Sequence, residues 1–445
     1  MGLSRFAAVV PIVLLLFCSF FINTFASSIL VRLALTCVSV VLALRVSLQA
    51  RIRYEINGPM VALLLVCAMA LLNQNHDVLS GEYSWLVFFF ASLFVAIILG
   101  YGEGSPFRQA VKIVAYLGLF FSLATILMWL YPPLFEIVKE TFFGASVSAG
   151  SYRSGFTAHY STNAIYITFG IICCFALLLN ESKNKQRAFY FVAFIICFLA
   201  LILTTKRAHL AIAIVACVSM YLLSGNRGLS RRVTGLVVWV TVAIVVFSIA
   251  SQYIPELGMT IERIAELSDD DTFGSRSDLY SICFSLWKES PIFGQGWGSF
   301  TDALYGSLSG ARFAAQGYYE IDAHNVFLQV LAEGGVVCLS LFLIWCVGSL
   351  IQTANLLKTS NGDATYRIVA IASWGCQLFF LIYCFTGNPL YDIQVYIPCL
   401  LIGFGGYLCC WNSARKEIAQ CHEVPVSPRR DRNFASRSDR PSLGI

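Results

Sequence analysis

Apolar residues fill this chain in long continuous runs that short polar stretches separate. A membrane-spanning helix needs about 20 mostly apolar residues, and by that measure the sequence predicts about twelve spans. They cover residues 6–26, 28–47, 58–73, 84–101, 110–131, 158–180, 188–205, 207–224, 234–254, 325–352, 366–387 and 392–411. A large polar loop, residues 255–323, separates the ninth span from the tenth. The pattern predicts an all-α polytopic membrane protein.

The composition agrees with this class. Hydrophobic residues make up 58% of the 445 residues and charged residues 12%, about half the charged fraction of an ordinary soluble domain. Nearly all of the 16 cysteines lie inside apolar runs and none forms a CxxC pair, so we interpret them as small apolar residues. The first run lacks a small-residue cleavage site before the second, which predicts a retained helix.

Basic residues predict the orientation, because cytoplasmic loops are enriched in Lys and Arg. They recur in alternate loops, after the second, sixth, eighth, tenth and twelfth spans and before the fifth. Both termini are therefore predicted to be cytoplasmic. The opposite face receives residues 72–83, 132–157, 205–207, 255–323 and 387–391. The large loop carries eleven acidic and four basic residues, as the rule expects of a periplasmic loop.

The domain prediction has four parts. Residues 1–150 hold the first five spans, and residues 151–352 form a catalytic region that includes the loop 255–323. Residues 353–411 hold the last spans. Residues 412–445 are predicted to be a disordered, basic cytoplasmic tail, since the end of the chain is rich in Ser, Pro and Arg with few large apolar side chains.

Several basic residues depart from the orientation rule. Lys206 and Arg207 lie between two spans on the predicted periplasmic side, where Arg153 and Arg276 also fall. Charge at a membrane boundary is costly and is often functional, although snorkelling to lipid headgroups is the alternative explanation. The guanidinium fork matches phosphate, so the basic residues together predict a diphosphate site.

His324 precedes the tenth span and is a candidate general base toward an acceptor hydroxyl, since an ordinary imidazole accepts a proton near neutral pH. It is equally placed to donate a hydrogen bond to phosphate, or to cap or pack against the helix. Gly294, Gly296 and Gly298 resemble a phosphate-binding loop only weakly, and a sharp turn with Trp297 packed or laid on a sugar fits better. The run Asp269–Asp271 is better explained as solvated than as a metal site.

Three pieces of sequence now identify a resemblance. They are Thr204-Thr205-Lys206-Arg207, the block from Gly274-Ser275-Arg276 to Gly298, and Ala323-His324-Asn325 with Glu333-Gly334-Gly335. In order and spacing they resemble the bacterial O-antigen ligase and O-antigen polymerase family of membrane glycan transferases. Arg153-Ser154-Gly155 with Asn163 is a weaker fourth piece. The resemblance covers about residues 150–340.

The resemblance implies a twelve-helix, GT-C-like transferase of the bacterial inner membrane with a periplasmic active face. It implies a glycan donor on undecaprenyl diphosphate, and lipid A-core or a growing glycan as acceptor, in lipopolysaccharide or exopolysaccharide assembly. No cofactor, metal or nucleic acid is implied. Arg207 and Arg276 match the diphosphate-binding arginines and His324 the essential histidine, and Lys206 is an added charge. Arg153, Lys206, Asn325 and Trp297 are the further substrate-binding candidates.

Two other functions remain open. A lipid-linked glycan transporter or flippase has a similar number of helices, but it is expected to carry charges or broken helices near the membrane midplane and an internal repeat. Here the candidate residues collect at one membrane face. An inert scaffold subunit is the third possibility. Ligase and polymerase differ in the acceptor, which these residues do not distinguish.

Overall fold

The computed structural model describes residues 2–22, 29–50, 54–73, 84–143, 152–224, 230, 232–235, 237, 272–307, 309–311, 322–359 and 363–423. Helices account for nearly all regular structure in these ranges, which contain no β-strand. The helices are α1 (Gly2–Phe17, continued as a π-helix over Cys18–Ile22), α2 (Ile29–Ala50), α3 (Gly58–Leu72), α4 (Ser84–Gly100), α5 (Ser105–Leu130), α6 (Pro132–Val138), α7 (Tyr160–Asn180), α8 (Asn184–Leu203), α9 (Arg207–Ser224), α10 (Thr272–Glu289), α11 (Ser299–Tyr305), α12 (Val326–Thr359), α13 (Ala364–Tyr383), α14 (Ile393–Pro398) and, after a π-helix over Cys399–Gly405, α15 (Gly406–Glu423).

The all-helical membrane prediction is confirmed. Eight described helical segments are long and apolar enough to cross a membrane, and three shorter ones are apolar over 10–17 residues. Together they match eleven of the predicted spans. The ninth, 234–254, lies almost entirely outside the described residues, so the count of twelve stays a prediction.

The centre of the bundle is formed by helices that are apolar on every side. Helix α7 is largely buried, with Tyr166 and Phe169 fully so. Helix α2 faces outward, and its Leu30 and Leu48 are 74% and 79% exposed. Exposed apolar side chains on a membrane helix are expected to contact lipid, because lipid tails provide an apolar environment.

Polar contacts assign the loops to two ends of the bundle. At one end Arg108 pairs with Glu181 at 3.1 Å and Arg415 with Glu55 at 2.8 Å. All four residues belong to the predicted cytoplasmic face. At the other end the backbone N–H of Trp297 donates to the carbonyl oxygen of Asn73 at 2.8 Å. The first two contacts join loops that are predicted to be cytoplasmic, and the third joins two that are predicted to be periplasmic; which end faces the cytoplasm stays a prediction.

The predicted disordered tail begins later than expected. Helix α15 continues to Glu423, so residues 412–423 are helical, contrary to a tail that starts at 412. The reason is local: Trp411 and Asn412 still pack on the bundle, and the side-chain amide of Asn412 donates to the Tyr101 carbonyl oxygen at 2.8 Å. Residues 424–445 lie outside the described residues.

Candidate functional site

Helix α12 contains a break at Gly335, whose backbone is left-handed with φ 68° and ψ −173°. The turn 291–298 docks into this break through main-chain hydrogen bonds. The N–H of Gly296 donates to the carbonyl oxygen of Glu333 at 2.9 Å, and the N–H of Val336 donates to that of Pro291 at 3.0 Å. The large loop is thereby fixed to the helix that follows it.

The close approach requires glycine at two positions. A Cβ on Gly335 would lie 2.2 Å from the carbonyl oxygen of Ile292, and a Cβ on Gly294 would lie 2.3 Å from the carbonyl of Glu333. Both residues have positive φ, a conformation that glycine alone adopts without strain.

The same turn does not present a phosphate-binding loop. Its successive amide N–H groups already donate to protein acceptors: Gln295 to Ala332 O, Gly296 to Glu333 O, Trp297 to Asn73 O and Gly298 to Glu333 Oε1. The glycines therefore serve the turn and its packing, which is the interpretation that the sequence favoured.

Two non-glycine residues in the described part of the chain have positive φ, Thr205 at 57° and His324 at 53°. Thr205 immediately precedes the Lys206-Arg207 pair, and His324 is the candidate base. A left-handed non-glycine residue costs about 1–3 kcal/mol and such residues cluster at functional sites. Both strained positions fall within the predicted site.

Lys206, Arg276 and His324 are brought together although they come from three separate segments. Burial lowers the pKa of His324 to about 4, and the positive charges of Arg276 and Lys206 contribute to this shift. Burial also lowers the pKa of Lys206 to about 8, again with a contribution from Arg276. The imidazole is therefore neutral at pH 7, within electrostatic range of two cations.

The two cations lack acidic partners among the described residues. No carboxylate in that part of the chain lies within ion-pairing distance of Lys206 or Arg276. Instead, the Lys206 ammonium lies 4.2 Å from the centre of the Tyr160 ring, a cation–π contact that does not itself neutralise the charge. Such a cluster is suited to bind an anion.

Arg207 and Arg153 lie at the same end of the bundle in neighbouring segments. Arg207 is the first residue of α9, next to Lys206. Arg153 lies in a 3-10 turn, where its carbonyl oxygen accepts from the Asn163 side chain at 2.8 Å. Among the described residues, the charges that act on His324 are those of Arg276 and Lys206.

Asn325 and Trp297 have structural contacts. The Asn325 side chain accepts from the N–H of Leu328 at 3.2 Å, which makes Asn325, not His324, the N-cap of α12. Trp297 is 3% exposed and belongs to the main apolar core. Its ring packs among the helices, so no face is open to a sugar in this structure.

Three polar residues around this part of the bundle were given no role in the site from the sequence, and one of them, Asn388, lies next to His324. The amide Nδ2 of Asn388 lies 3.5 Å from Nδ1 of His324. Burial, with the charge of Asp322, raises the pKa of Asp392 to about 7. Glu333, 1% exposed, accepts hydrogen bonds from three groups. For Glu333 the sequence held a signal, since an acidic residue inside an apolar span marks a functional candidate.

A metal site is not evident in the described ranges, where no three His, Cys, Asp or Glu side chains are grouped as ligands. The run Asp269–Asp271 lies outside the described residues, as do His76 and most of the loop before residue 272.

Comparison with known proteins adds the family. Residues 192–343 match the family model described as O-antigen ligase. The matched segment runs from α8 through the loop to the middle of α12, and it contains Lys206, Arg207, Arg276, Trp297 and His324. A search of curated proteins finds no match. Through this segment, about a third of its length, the chain is similar to the O-antigen ligase family.

Proposed function

We propose that the protein transfers an oligo- or polysaccharide from undecaprenyl diphosphate to a sugar hydroxyl, at the periplasmic face of the bacterial inner membrane. The main support for the proposal is the convergence of Lys206 and Arg276 on the neutral imidazole of His324, at the end of a membrane helix bundle. The cluster lies within the segment that matches the O-antigen ligase family.

The leaving group of such a reaction is a diphosphate, on which negative charge develops as the glycosidic bond breaks. Preorganised cations stabilise that charge, and one well-placed donor contributes about 3–4 kcal/mol in a well-studied hydrolase. Lys206 and Arg276 supply cations without acidic partners among the described residues, and Arg207 is the third basic candidate. The charge stabilisation does not require a metal ion.

His324 acts as the general base in this proposal. The acceptor hydroxyl oxygen forms a bond to the anomeric carbon, the bond from that carbon to the diphosphate oxygen breaks, and the diphosphate leaves with the electron pair. The hydroxyl proton moves to an imidazole nitrogen. Direct attack of this kind inverts the anomeric carbon. A neutral imidazole is the form that accepts the proton.

The transporter alternative is less well supported by the position of these groups. Lys206 and His324 lie between helices, at one end of the bundle, whereas substrate sites of transporters lie near the membrane midplane. The match to the O-antigen ligase family also favours glycan transfer over transport. The acceptor, whether lipid A-core or a growing glycan, is left open by these residues.

The test is transfer by the purified protein in liposomes, with a lipid-diphosphate-linked oligosaccharide and a sugar acceptor. His324→Asn is expected to lower turnover about 10²–10⁴-fold, the usual contribution of a general base, while donor binding persists. His159→Asn is the matched control, because the His159 side chain caps α7 by accepting from Ser161 N at 3.2 Å, a role that Asn also fills.

Arg276→Ala and Arg207→Ala are expected to be strongly impaired, with Lys a partial substitute because it keeps charge but loses the fork. EDTA is expected to have no effect. Near-normal turnover of His324→Asn would remove the base role, and translocation of the donor across the vesicle membrane without transfer would favour the flippase.

A further inference from the structure

Glu333 is an acidic side chain that is entirely buried in a membrane-spanning helix and has no cationic partner among the contacts that the described residues make. Its carboxylate instead accepts three hydrogen bonds. Oε1 accepts from the N–H of Gly298 at 3.2 Å and from Nε2 of Gln329 at 3.4 Å. Oε2 accepts from the hydroxyl of Tyr391 at 3.0 Å.

These partners lie in three different places. Gly298 ends the docked turn and is left-handed, with φ 96°. Tyr391 belongs to the segment between α13 and α14, and Gln329 lies one helical turn before Glu333 on α12. A single carboxylate thus joins the large loop, the last part of the bundle and the start of α12.

The hydrogen bond between Glu333 and Gln329 continues toward the candidate base, His324. Gln329 is 2% exposed, and its Oε1 accepts from the N–H of Ala323 at 3.2 Å. Ala323 is the residue before His324. The chain of hydrogen bonds therefore runs from Glu333 through Gln329 to the peptide that enters the strained His324 turn.

The turn needs such support. His324 has φ 53°, and a left-handed non-glycine residue persists only where its surroundings hold it. Two hydrogen bonds from main-chain N–H groups flank it: Ala323 N to Gln329 Oε1, and Val326 N to the carbonyl oxygen of Cys384 at 2.9 Å. Loss of the first removes the hydrogen bond that the side chain of Gln329 makes to the entry of the turn.

We propose that Glu333 is a positioning residue, which through Gln329 holds the Ala323–His324 turn so that the imidazole keeps its place beside Arg276 and Lys206. Glu333 itself does not touch substrate. This proposal rests on the proposed function, in which His324 is the general base.

Substitutions separate positioning from a role that needs the ionisable carboxyl group. In Glu333→Gln the amide oxygen still accepts from Gly298 and Gln329, and the amide nitrogen donates to the Tyr391 oxygen, so the hydrogen bonds survive without a charge. A proton-transfer role for Glu333 would not survive this change. Glu333→Ala removes all three bonds. Gln329→Met removes the two bonds of the Gln329 side chain, to Glu333 and from the N–H of Ala323.

A matched control is available on the same helix. Gln352 accepts a hydrogen bond from the hydroxyl of Tyr407 far from His324, so Gln352→Met is the same chemical change at the other end of α12. If Glu333→Ala does not fold, Gln329→Met still decides, because it leaves the bonds of Glu333 to Gly298 and Tyr391 in place.

The experiment has two readouts on the full-length protein. Hydrogen exchange of the peptide covering 322–328 is expected to quicken in Gln329→Met and Glu333→Ala, and to stay native in Glu333→Gln and Gln352→Met. In the liposome transfer assay, kcat of Gln329→Met and Glu333→Ala is expected to fall on the order of 10²-fold, the cost of a misplacement of about 1 Å. KM for the donor is expected to be unchanged.

Unchanged exchange in Gln329→Met would overturn the proposal, and so would faster exchange with native kcat. A Glu333→Gln variant as inactive as Glu333→Ala would overturn positioning in favour of an ionised role. If the wild-type protein transfers no glycan, the proposed function fails, and the exchange measurement alone still decides whether Glu333 supports the turn.

Discussion

The side-chain amide of Asn388 lies 3.5 Å from Nδ1 of His324, and the two residues belong to different connections, His324 just before α12 and Asn388 just after α13. The amide atom that faces Nδ1 is Nδ2, which as placed donates to Nδ1 and leaves the ring proton on Nε2. A base role for Nε2 requires the amide to be turned over, so that Nδ1 donates its proton to the amide oxygen of Asn388. The amide is therefore the group that orients the imidazole and selects its tautomer.

Asn388→Asp is expected to raise the pKa of His324, because a carboxylate beside Nδ1 stabilises the imidazolium. The acid limb of the kcat/KM profile should move to higher pH. Asn388→Leu, which has no acceptor, is expected to lower kcat with little change in donor binding. Identical pH profiles for wild type and Asn388→Asp would show that the two side chains do not interact.

The low pKa of His324 sets the pH dependence of the reaction. The base must be neutral, and its pKa in the free protein is about 4, below the ordinary 6.5. We therefore expect kcat/KM to hold as pH falls through 6.5 and to decline only near pH 4–5. A decline that is already complete at pH 6 would contradict a buried, neutral base at this position.

Lys206→Gln tests the electrostatic part of that shift. Removing the positive charge raises the pKa of His324, so the acid limb should move toward neutral pH, and donor affinity should fall. Lys183→Gln, an exposed lysine at the other end of the bundle, is the control. An acid limb of the kcat/KM profile at the same pH in Lys206→Gln and wild type would show that the Lys206 charge does not contribute to the low pKa of His324.

Asn325 is predicted to act as a helix cap. Asn325→Ala should destabilise the protein by about 1 kcal/mol, the usual cost of losing an N-cap, while Asn325→Asp and Asn325→Ser should remain close to native in thermal stability and transfer. Strong loss of activity in both polar variants would instead point to contact with substrate.

Gly335→Ala should disrupt the docked turn. The backbone of Gly335 lies in a region that is essentially reserved for glycine, and the new Cβ would meet the Ile292 carbonyl oxygen at 2.2 Å. We expect a lower melting temperature in detergent and loss of transfer. Gly58→Ala is the control, since a Cβ added there would meet no atom within 4 Å, and it should melt like wild type.

The orientation can be tested with two serines. Ser285 on α10 belongs to the predicted periplasmic face and Ser182 to the cytoplasmic face, and both are exposed. A membrane-impermeant thiol reagent should label Ser285→Cys in intact spheroplasts and Ser182→Cys only after lysis. The reverse result would invert the proposed active face.

The class of the protein and the order of its helices follow from the sequence without any knowledge of packing. Hydrophobic runs are a local property, because each membrane helix satisfies its own backbone hydrogen bonds within one segment. The same applies to the tight junction predicted at 205–207 and to the glycine turn, both visible in a few neighbouring residues. The resemblance to the O-antigen ligase family likewise followed from short motifs in order.

Which side chains meet is a property of the packed bundle. The convergence of Lys206 and Arg276 on His324 depends on how three distant segments pack, and basic residues on one face do not specify it. Arg207 is adjacent in sequence to Lys206, yet of these two residues it is Lys206 whose charge contributes to the low pKa of His324.

The pattern of apolar and polar residues also could not predict which side chains of the site are buried or hydrogen-bonded. Trp297 and the motif Glu333-Gly334-Gly335 occur in polar-looking or helical sequence, but packing buries the indole and places the carboxylate against Gly298, Gln329 and Tyr391. The N-cap of α12 is Asn325 and not His324 for a similar reason. The backbone of His324 is left-handed just before the helix begins. The side chain of the following residue, Asn325, accepts the hydrogen bond from the N–H of Leu328, which has no partner within the helix.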